Sequence, residues 1–516
     1  MLPENNNREH FFLKAAIVMM VLEIFVKLLG FIKQSVIAYY YGGSGNMDIY
    51  FLSSDFINEL SNAIIGSARI AVIAVFTNVR HKKGKEYGDS LLNQMIELTF
   101  AASVMICATL LVLSSPIGSI LAPNYQTDEH ATLVEYLQAF SGIIVFTLLC
   151  MIYDSLLNSY EKYYVTKYRS LIYSTIVILA CITLSAQLGN KALVLAQYVT
   201  IIIYFFVQIF NSKNLYSFRF ERITKKDEIK QILTKMGPVF IGNSMLYFNY
   251  QIDNSIASTL ENGAVSALSY SHTIDSLFVG VLITSLAAIV FPHMANLIAK
   301  EKEEEGIQVL KNSLITMIVL LIPVSIIVFF LSSDMVEVIY HRGKFDNRVA
   351  LLTASVLSGY ALRFPFVSVR DLCVQGIYAY GDTKTPMRNS VIATFINIIM
   401  SIALSRILGI IGISLGTTVS VIICSALNMH SLKMQTNINI IKENCPSLIK
   451  CSISGFVSIV IVFLTKGLVN AEAPLEKIII VSIVAFASYI SVNMFLKERY
   501  TNLVLRRLAG KFSKNQ

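Results

Sequence analysis

Long apolar runs alternate with short polar breaks along the whole chain, and the runs set the first reading. A helix needs about 20 apolar residues to cross the hydrocarbon core of a bilayer. Runs of that kind lie near 11–39, 47–78, 91–115, 131–158, 168–188, 191–211, 232–260, 264–298, 309–332, 349–380, 387–408, 410–432, 449–468 and 474–496. They predict an all-α polytopic membrane protein with about 14 transmembrane helices. None shows the two-residue alternation of a lipid-facing strand, which excludes a β-barrel. The first run carries Glu23 and Lys27 and no small-residue cleavage site follows it, so it reads as a span rather than a cleaved leader.

Composition agrees. Of 516 residues, 55% are apolar and 15% charged, where a soluble domain carries roughly 25% charged residues. The mean hydropathy is +0.62. Charge then orients the chain. Lys and Arg gather before the first run (Arg8, Lys14) and in the second loop (Arg80, Lys82, Lys83, Lys85). They recur in the fourth loop (Lys162, Lys167, Arg169), in the long sixth loop from Lys213 to Lys235, and in the tail 497–516. By the positive-inside rule both termini face the cytoplasm; Arg342, Lys344 and Arg348 of the ninth loop are the exception. The net charge of +9 follows from this topology and calls for no nucleic-acid partner; the expected counterpart is anionic membrane lipid. With no tryptophan in the chain, tyrosines such as Tyr39–Tyr41 are the expected interfacial anchors. The 7 cysteines show no metal spacing and read as apolar filler.

A weak internal repeat divides the chain. Ser35-Val-Ile-Ala38, a polar turn and a span ending Ile64-Ile-Gly-Ser67 are echoed by Ser255-Ile-Ala257, a polar turn and a span ending Leu282-Ile-Thr-Ser285. Asp55 and Asp275 fall at nearly matching places. An offset of six spans keeps orientation, so the halves are expected to be lobes related by an axis along the membrane normal. The expected organisation is a first lobe at 1–211, a cytoplasmic amphipathic linker at 212–231 and a second lobe at 232–432. Two extra helices at 433–496 and a basic tail at 497–516 complete it. In the linker region Phe218, Phe220, Ile223, Ile229 and Ile232 are expected at the headgroup boundary.

Charge inside the spans marks candidate functional residues, because a charged side chain at mid-bilayer costs about 2.5–3.5 kcal/mol. In span 1, Glu23, Lys27, Gly30 and Gln34 share one helical face, with Lys33 near the outer end. In span 2, Asp55, Glu59, Asn62, Gly66 and Arg69 form a second stripe. Two readings stand: local pairing of opposite charges, or a hydrated cavity lined by both stripes. Span 7 carries Asp253, span 8 carries His272 and Asp275, and span 10 carries Arg363, Arg370 and Asp371. No motif for covalent catalysis is present, so an enzyme is not expected.

Several segments now point to a family. They are Phe25-Val-Lys-Leu-Leu-Gly-Phe-Ile-Lys-Gln34, Ala38-Tyr-Tyr-Tyr-Gly-Gly43, Met47-Asp-Ile-Tyr-Phe51 and Gly263-Ala-Val-Ser-Ala-Leu-Ser-Tyr270. Most specific are two loop motifs, Tyr340-His-Arg-Gly-Lys-Phe-Asp346 and Tyr378-Ala-Tyr-Gly-Asp-Thr-Lys-Thr-Pro386. Together, over spans 1 to 12, they resemble the lipid II flippases, or MviN-like proteins, of the multidrug/oligosaccharidyl-lipid/polysaccharide exporter superfamily. The resemblance implies alternating-access transport of an undecaprenyl-diphosphate-linked peptidoglycan precursor across the bacterial inner membrane. It places Lys27 and Lys33 at two family arginine positions and Asp48 at a family aspartate, as substrate-binding candidates beside Arg69, Arg363 and Arg370. Glu23, Asp55, Glu59, His272 and Asp275 become candidate cavity residues. The chain departs from the family at Gln34, at Ser61-Asn62 where paired arginines are usual, and at Thr273. The resemblance implies no cofactor, but coupling to sodium or to the membrane potential, with Asp253, Asn397 and Thr417 as candidate sodium ligands. Cell-wall synthesis proteins are candidate partners. Three alternatives stay open: a flippase for another polyprenyl-linked glycan, a cation-coupled drug exporter, and a non-transporting scaffold.

Overall fold

The computed structural model describes residues 4–284, 290, 294, 296–298, 300–437, 439–469 and 473–502. The side chains of 4–21, 23, 238, 241–243, 245, 246, 281 and 284 lie outside that description, and Glu23 is among them. Among the described residues there are 16 α-helices and no strand. They are α1 (Glu4–Tyr41), α2 (Gly45–Lys83), α3 (Lys85–Leu121), α4 (Thr127–Ser141), α5 (Ile143–Ser159), α6 (Val165–Leu188), α7 (Lys191–Ser212) and α8 (Lys226–Ser258). There follow α9 (Ala264–Phe278), a π-helical turn (Val279–Thr284), α10 (Glu303–Tyr340), α11 (Asn347–Ala361) and α12 (Phe364–Ala379). The last four are α13 (Lys384–Leu408), α14 (Ile410–Thr436), α15 (Ile440–Leu468) and α16 (Pro474–Phe495).

Span 4 is made of α4 and α5, which join at Gly142, itself in helical conformation, as one 33-residue span. One expected span is broken in the middle. Span 10 becomes α11 and α12, which meet at a bend of 49°. Pro365 sits in the first turn of α12, where its missing N–H is no loss and its ring keeps α11 from running on. Ten helices are long and apolar enough to cross a membrane, or 11 if the bent pair is one span. The described residues therefore do not reach the expected count of 14. One shortfall has a plain cause: α8 carries Asn243, Asn249, Gln251, Asp253 and Asn254 within three turns, which lowers its hydropathy. The fully exposed flanks of other helices, with Val112, Ile120, Ile407 and Phe463 each more than half exposed, are the lipid-facing surface.

By contacts the chain forms two compact units, residues 1–266 with 342–345, and residues 267–341 with 346–516. In the first, α2 packs against α3, α4, α5 and α8, α1 lies on α6, and α7 joins α5 to α6. Its interior is built from residues such as Met47, Leu52, Phe76 and Phe140, with Cys150, Ile201 and Tyr204 welding α5 to α7. In the second, α14 gathers α11, α12 and α13, while α10 carries α15 and α16 through Leu331, Val462, Val481 and Ala485.

The stretch between α7 and α8 differs from the expected amphipathic surface segment. Residues 216–225 run extended along α3, whose Ser90, Asn93, Gln94 and Glu97 lie on one face. Asn93 Oδ1 accepts from the Arg219 amide at 3.1 Å and from the Tyr216 hydroxyl at 2.5 Å. Gln94 Oε1 accepts from the Thr224 and Lys225 amides, each at 2.9 Å, and Glu97 accepts from the Glu221 amide at 2.8 Å. Glu221 in turn accepts from Asn93 Nδ2 at 2.7 Å and from Ser90. Backbone groups that no ladder satisfies are thus answered by side chains. Phe220 remains exposed as expected, but Ile229 and Ile232 are buried: they belong to α8, not to the strap.

Candidate functional site

The first unit holds cations that form no ion pair among the described residues. Lys27 and Arg69 are half-buried and form no ion pair among the described residues. Lys33, on α1, sets its ammonium 4.3 Å from the centroid of the Tyr173 ring on α6, a cation–π contact. Gln197 of α7 joins Tyr173 to Tyr50 of α2, donating to the two hydroxyls at 3.4 and 3.2 Å. The described contacts bring Lys33 to α6 and do not join Lys27, Lys33 and Arg69 to one another.

Asp48 is buried in the first turn of α2 and acts on backbone. Its carboxylate accepts from the amides of Gly263 (2.6 Å) and Ser266 (2.8 Å) and from Ser266 Oγ (2.6 Å), capping the start of α9. Nearby, the strap 342–345 docks on the end of α1, with the Lys344 amide donating to the Tyr39 carbonyl at 2.9 Å. Gly343 (φ +64°) and Gly42 (φ +68°) face this contact; a Cβ on either would lie 2.2–2.3 Å from the Tyr39 or Lys344 carbonyl oxygen. Both motifs read from the sequence, 38–43 and 340–346, therefore meet in one backbone contact that only glycine fits. Asp55 and Glu59 lie one turn apart on α2, on the side of α8 where Tyr250 and Asn254 approach Asp55. Asp253 is buried on α8.

The second unit pairs its charges. Arg363 Nη2 meets Asp275 Oδ2 at 2.5 Å, with both side chains largely buried, and the guanidinium lies 4.4 Å from the Tyr360 ring centroid. Arg370 Nε meets Asp371 at 2.8 Å in a partly exposed pair. His272 is exposed on α9. Asn397 donates to Thr417 Oγ1 at 3.1 Å, so two of the three expected sodium ligands are in mutual contact.

Known proteins add a decisive observation. Residues 37–484 match the family described as Lipid II flippase MurJ. The chain belongs to the lipid II flippase MurJ family. A probable lipid II flippase of Borreliella burgdorferi is 24% identical over 80% of this chain and 81% of its own length. One of Rickettsia prowazekii is 23% identical over 85% and 88%. Among solved structures, an inward closed lipid II flippase MurJ superposes with a TM-score of 0.80 at 21% identity, covering 95% of this chain and all of that one. An inward-facing multidrug-resistance transporter of the MATE family reaches 0.69 at 12% identity, covering 80% and 94%. The all-α transporter fold read from the runs is the fold of this family.

Three polar features of this family member escaped the sequence reading. Asp154 is buried on α5 and accepts from Tyr204 (2.6 Å) and Gln208 (2.7 Å) of α7. Asp334 of α10 meets Lys477 (3.0 Å) and Lys466 (3.7 Å), tying α16 and α15 to α10. The α3 stripe of Ser90, Asn93, Gln94 and Glu97 binds the strap. Only the stripe had a sequence signal, since its i, i+3, i+4, i+7 spacing is legible; the two aspartates needed partners far away in the chain.

Proposed function

We propose that this chain translocates lipid II across the bacterial cytoplasmic membrane, with both termini on the cytoplasmic side. The observation that carries the proposal is the match to the lipid II flippase MurJ family over residues 37–484. The role is transport and not catalysis. A diphosphate headgroup is held by cationic donors, and Lys27, Lys33 and Arg69 are half-buried cations of the first unit with no ion pair among the described residues. Lys27 and Lys33 bind phosphate as mobile point charges, and Arg69 is the one member of the set that carries a guanidinium fork. The polyprenyl tail stays in the lipid while the headgroup crosses by alternating access. Coupling to sodium or to the membrane potential drives the cycle. Cell-wall synthesis proteins are the chain's candidate partners.

Depletion of the resident lipid II flippase in a bacterial host provides the test. Restored growth on expressing this chain supports the proposal. Failure to grow, with normal amounts of the protein in the membrane, overturns it in favour of another polyprenyl-linked glycan.

A further inference from the structure

A lysine ammonium in a folded chain has three kinds of partner: a carboxylate, a carbonyl oxygen or the face of an aromatic ring. This chain uses all three. Lys83 donates to the Glu228 carboxylate at 2.6 Å, and Lys466 donates to the Phe330 carbonyl at 2.5 Å. Lys33 is half-buried and held by a ring, with its Nζ 4.3 Å from the centroid of Tyr173. The difference decides what the charge can do next. A carboxylate cancels the ammonium's charge. A ring face carries only a quadrupole, so the ammonium keeps its full charge and its N–H groups remain available to an anion.

Tyr173 is itself fixed from behind. Gln197 of α7 donates to its hydroxyl at 3.4 Å and to the Tyr50 hydroxyl at 3.2 Å, which uses both hydrogens of one amide nitrogen. Gln197 is buried, and Tyr50 of α2 is fully buried and edge-on to Phe51 and Phe140. Core, amide, ring and ammonium thus form one connected series across α2, α7, α6 and α1, wholly within the first unit. Lys213 supplies the contrast. It lies 4.1 Å from the Phe210 ring of the helix it follows, and that residue is 66% exposed and has no hydroxyl to be held.

A lysine stem has many rotamers, and ordering it when an anion binds costs entropy. A fixed ring orders the stem beforehand and leaves the charge unspent. We propose that Tyr173 is a positioning residue, which holds Lys33 charged and in place for the diphosphate of the lipid-linked substrate, with Gln197 fixing the ring. The proposal rests on the reading of Lys33 as a headgroup cation given above. An aromatic surface on a neighbouring helix then supplies the geometry that a lysine lacks by itself.

The test is binding of undecaprenyl diphosphate, the part common to polyprenyl-linked glycans, to the purified full chain in nanodiscs. Phenylalanine and its mono-, di- and trifluorinated forms are incorporated at 173. Fluorine withdraws negative charge from the ring face with little change of shape. Tyr173→Phe is expected to keep most of the affinity. Each added fluorine is expected to raise Kd in step, to a total of about three- to thirtyfold, at an unchanged melting temperature. Tyr173→Leu should match the end of that series, and Gln197→Leu, which frees the ring, should give a smaller rise. In a Lys33→Met background the series is expected to go flat. A flat series in the wild-type background overturns the proposal, and so does one that persists undiminished beside Lys33→Met; both outcomes leave the headgroup reading of Lys33 standing. Wild-type affinity in Lys33→Met alone, or no saturable binding by the wild-type chain, overturns that reading and the role of Tyr173 with it.

Discussion

Asp55 and Asp275, nearly matching places of the repeat expected from the sequence, have different surroundings in the two units. Asp275 lies against Arg363 at 2.5 Å, buried and closed off. Asp55 is approached by the Ser54 and Tyr250 hydroxyls and the Asn254 amide at 3.3–3.4 Å. The contrast extends to the cations. The second unit sets Arg363, Arg370 and Lys477 against Asp275, Asp371 and Asp334. Among the described residues the first unit leaves Lys27 and Arg69 without an ion pair and rests Lys33 on an aromatic ring, while it pairs Lys83 with Glu228 and Lys191 with Glu135. A buried ion pair fixes a structure, because separating it exposes two charges to a poor solvent. A half-buried cation without an ion pair among the described residues is instead open to an anionic partner. The sequence alone places the same residue types in both halves; only the partners separate their roles.

The comparison breaks if charge in the first unit proves structural. We predict that Lys27→Glu and Lys33→Glu each abolish lipid II flipping while the protein accumulates normally, as read by transport in proteoliposomes and immunoblot. Wild-type transport by both variants would remove these lysines from the substrate path. The second unit should answer oppositely. Arg363→Ala should lower stability by about 3–5 kcal/mol by stranding Asp275, and a double change to Met and Leu should recover most of it. A thermal-melt double-mutant cycle with no coupling would end the argument.

A smaller effect is expected at Asp48. Asp48→Ala removes a helix cap and should cost about 2 kcal/mol, whereas Asp48→Asn should cost less because its amide oxygen still accepts. Equal losses for the two variants would show that the carboxylate's hydrogen bonds are not what matters.

The smallest effect concerns Glu228, at the start of α8. The Lys83 ammonium at 2.6 Å and the Tyr87 hydroxyl at 2.7 Å hold its carboxyl down at about 2, and the same contact raises the Lys83 ammonium above its usual range. A lowered acid stabilises the fold above its unfolded pKa and loses that effect as pH falls through the folded one; a raised base does the reverse. The contribution is therefore full between the ordinary carboxylate and lysine values. It fades as pH drops toward about 2 or climbs past the lysine's raised value. Proteolysis at 213–225 should accelerate modestly at acid pH, and Glu228→Gln should flatten that dependence.

The fold was legible because hydropathy is a one-dimensional property. The all-helical membrane fold was readable from the apolar runs, whereas the expected count of 14 is not reached among the described residues, and the bend before Pro365 was a feature that periodicity blurred. The site was legible in part. Lys27, Lys33, Asp55 and Glu59 stood out because charge is rare in such runs, and the motifs 38–43 and 340–346 stood out by resemblance. What stayed hidden was pairing. Nothing near Arg363 in the chain names Asp275, 88 residues away, and nothing near Asn93 announces a strap 123–126 residues later. Ile229 and Ile232 were misplaced for the same reason: their burial depends on where α8 begins, which the apolar pattern left open.

The polarity of α8 bears on how the chain is made. A nascent helix leaves the insertion channel for lipid according to its own hydropathy, and α8 is not one of the ten helices that meet that standard. Its Asn254 and Tyr250 meet Asp55 of α2, a helix synthesised nearly 200 residues earlier and apolar enough to be in the membrane already. Biogenesis of α8 is thus a templated event, in which an early helix receives a late one. Removing the acceptor on α2 should leave newly made chains stalled or degraded at that step, before transport is ever attempted.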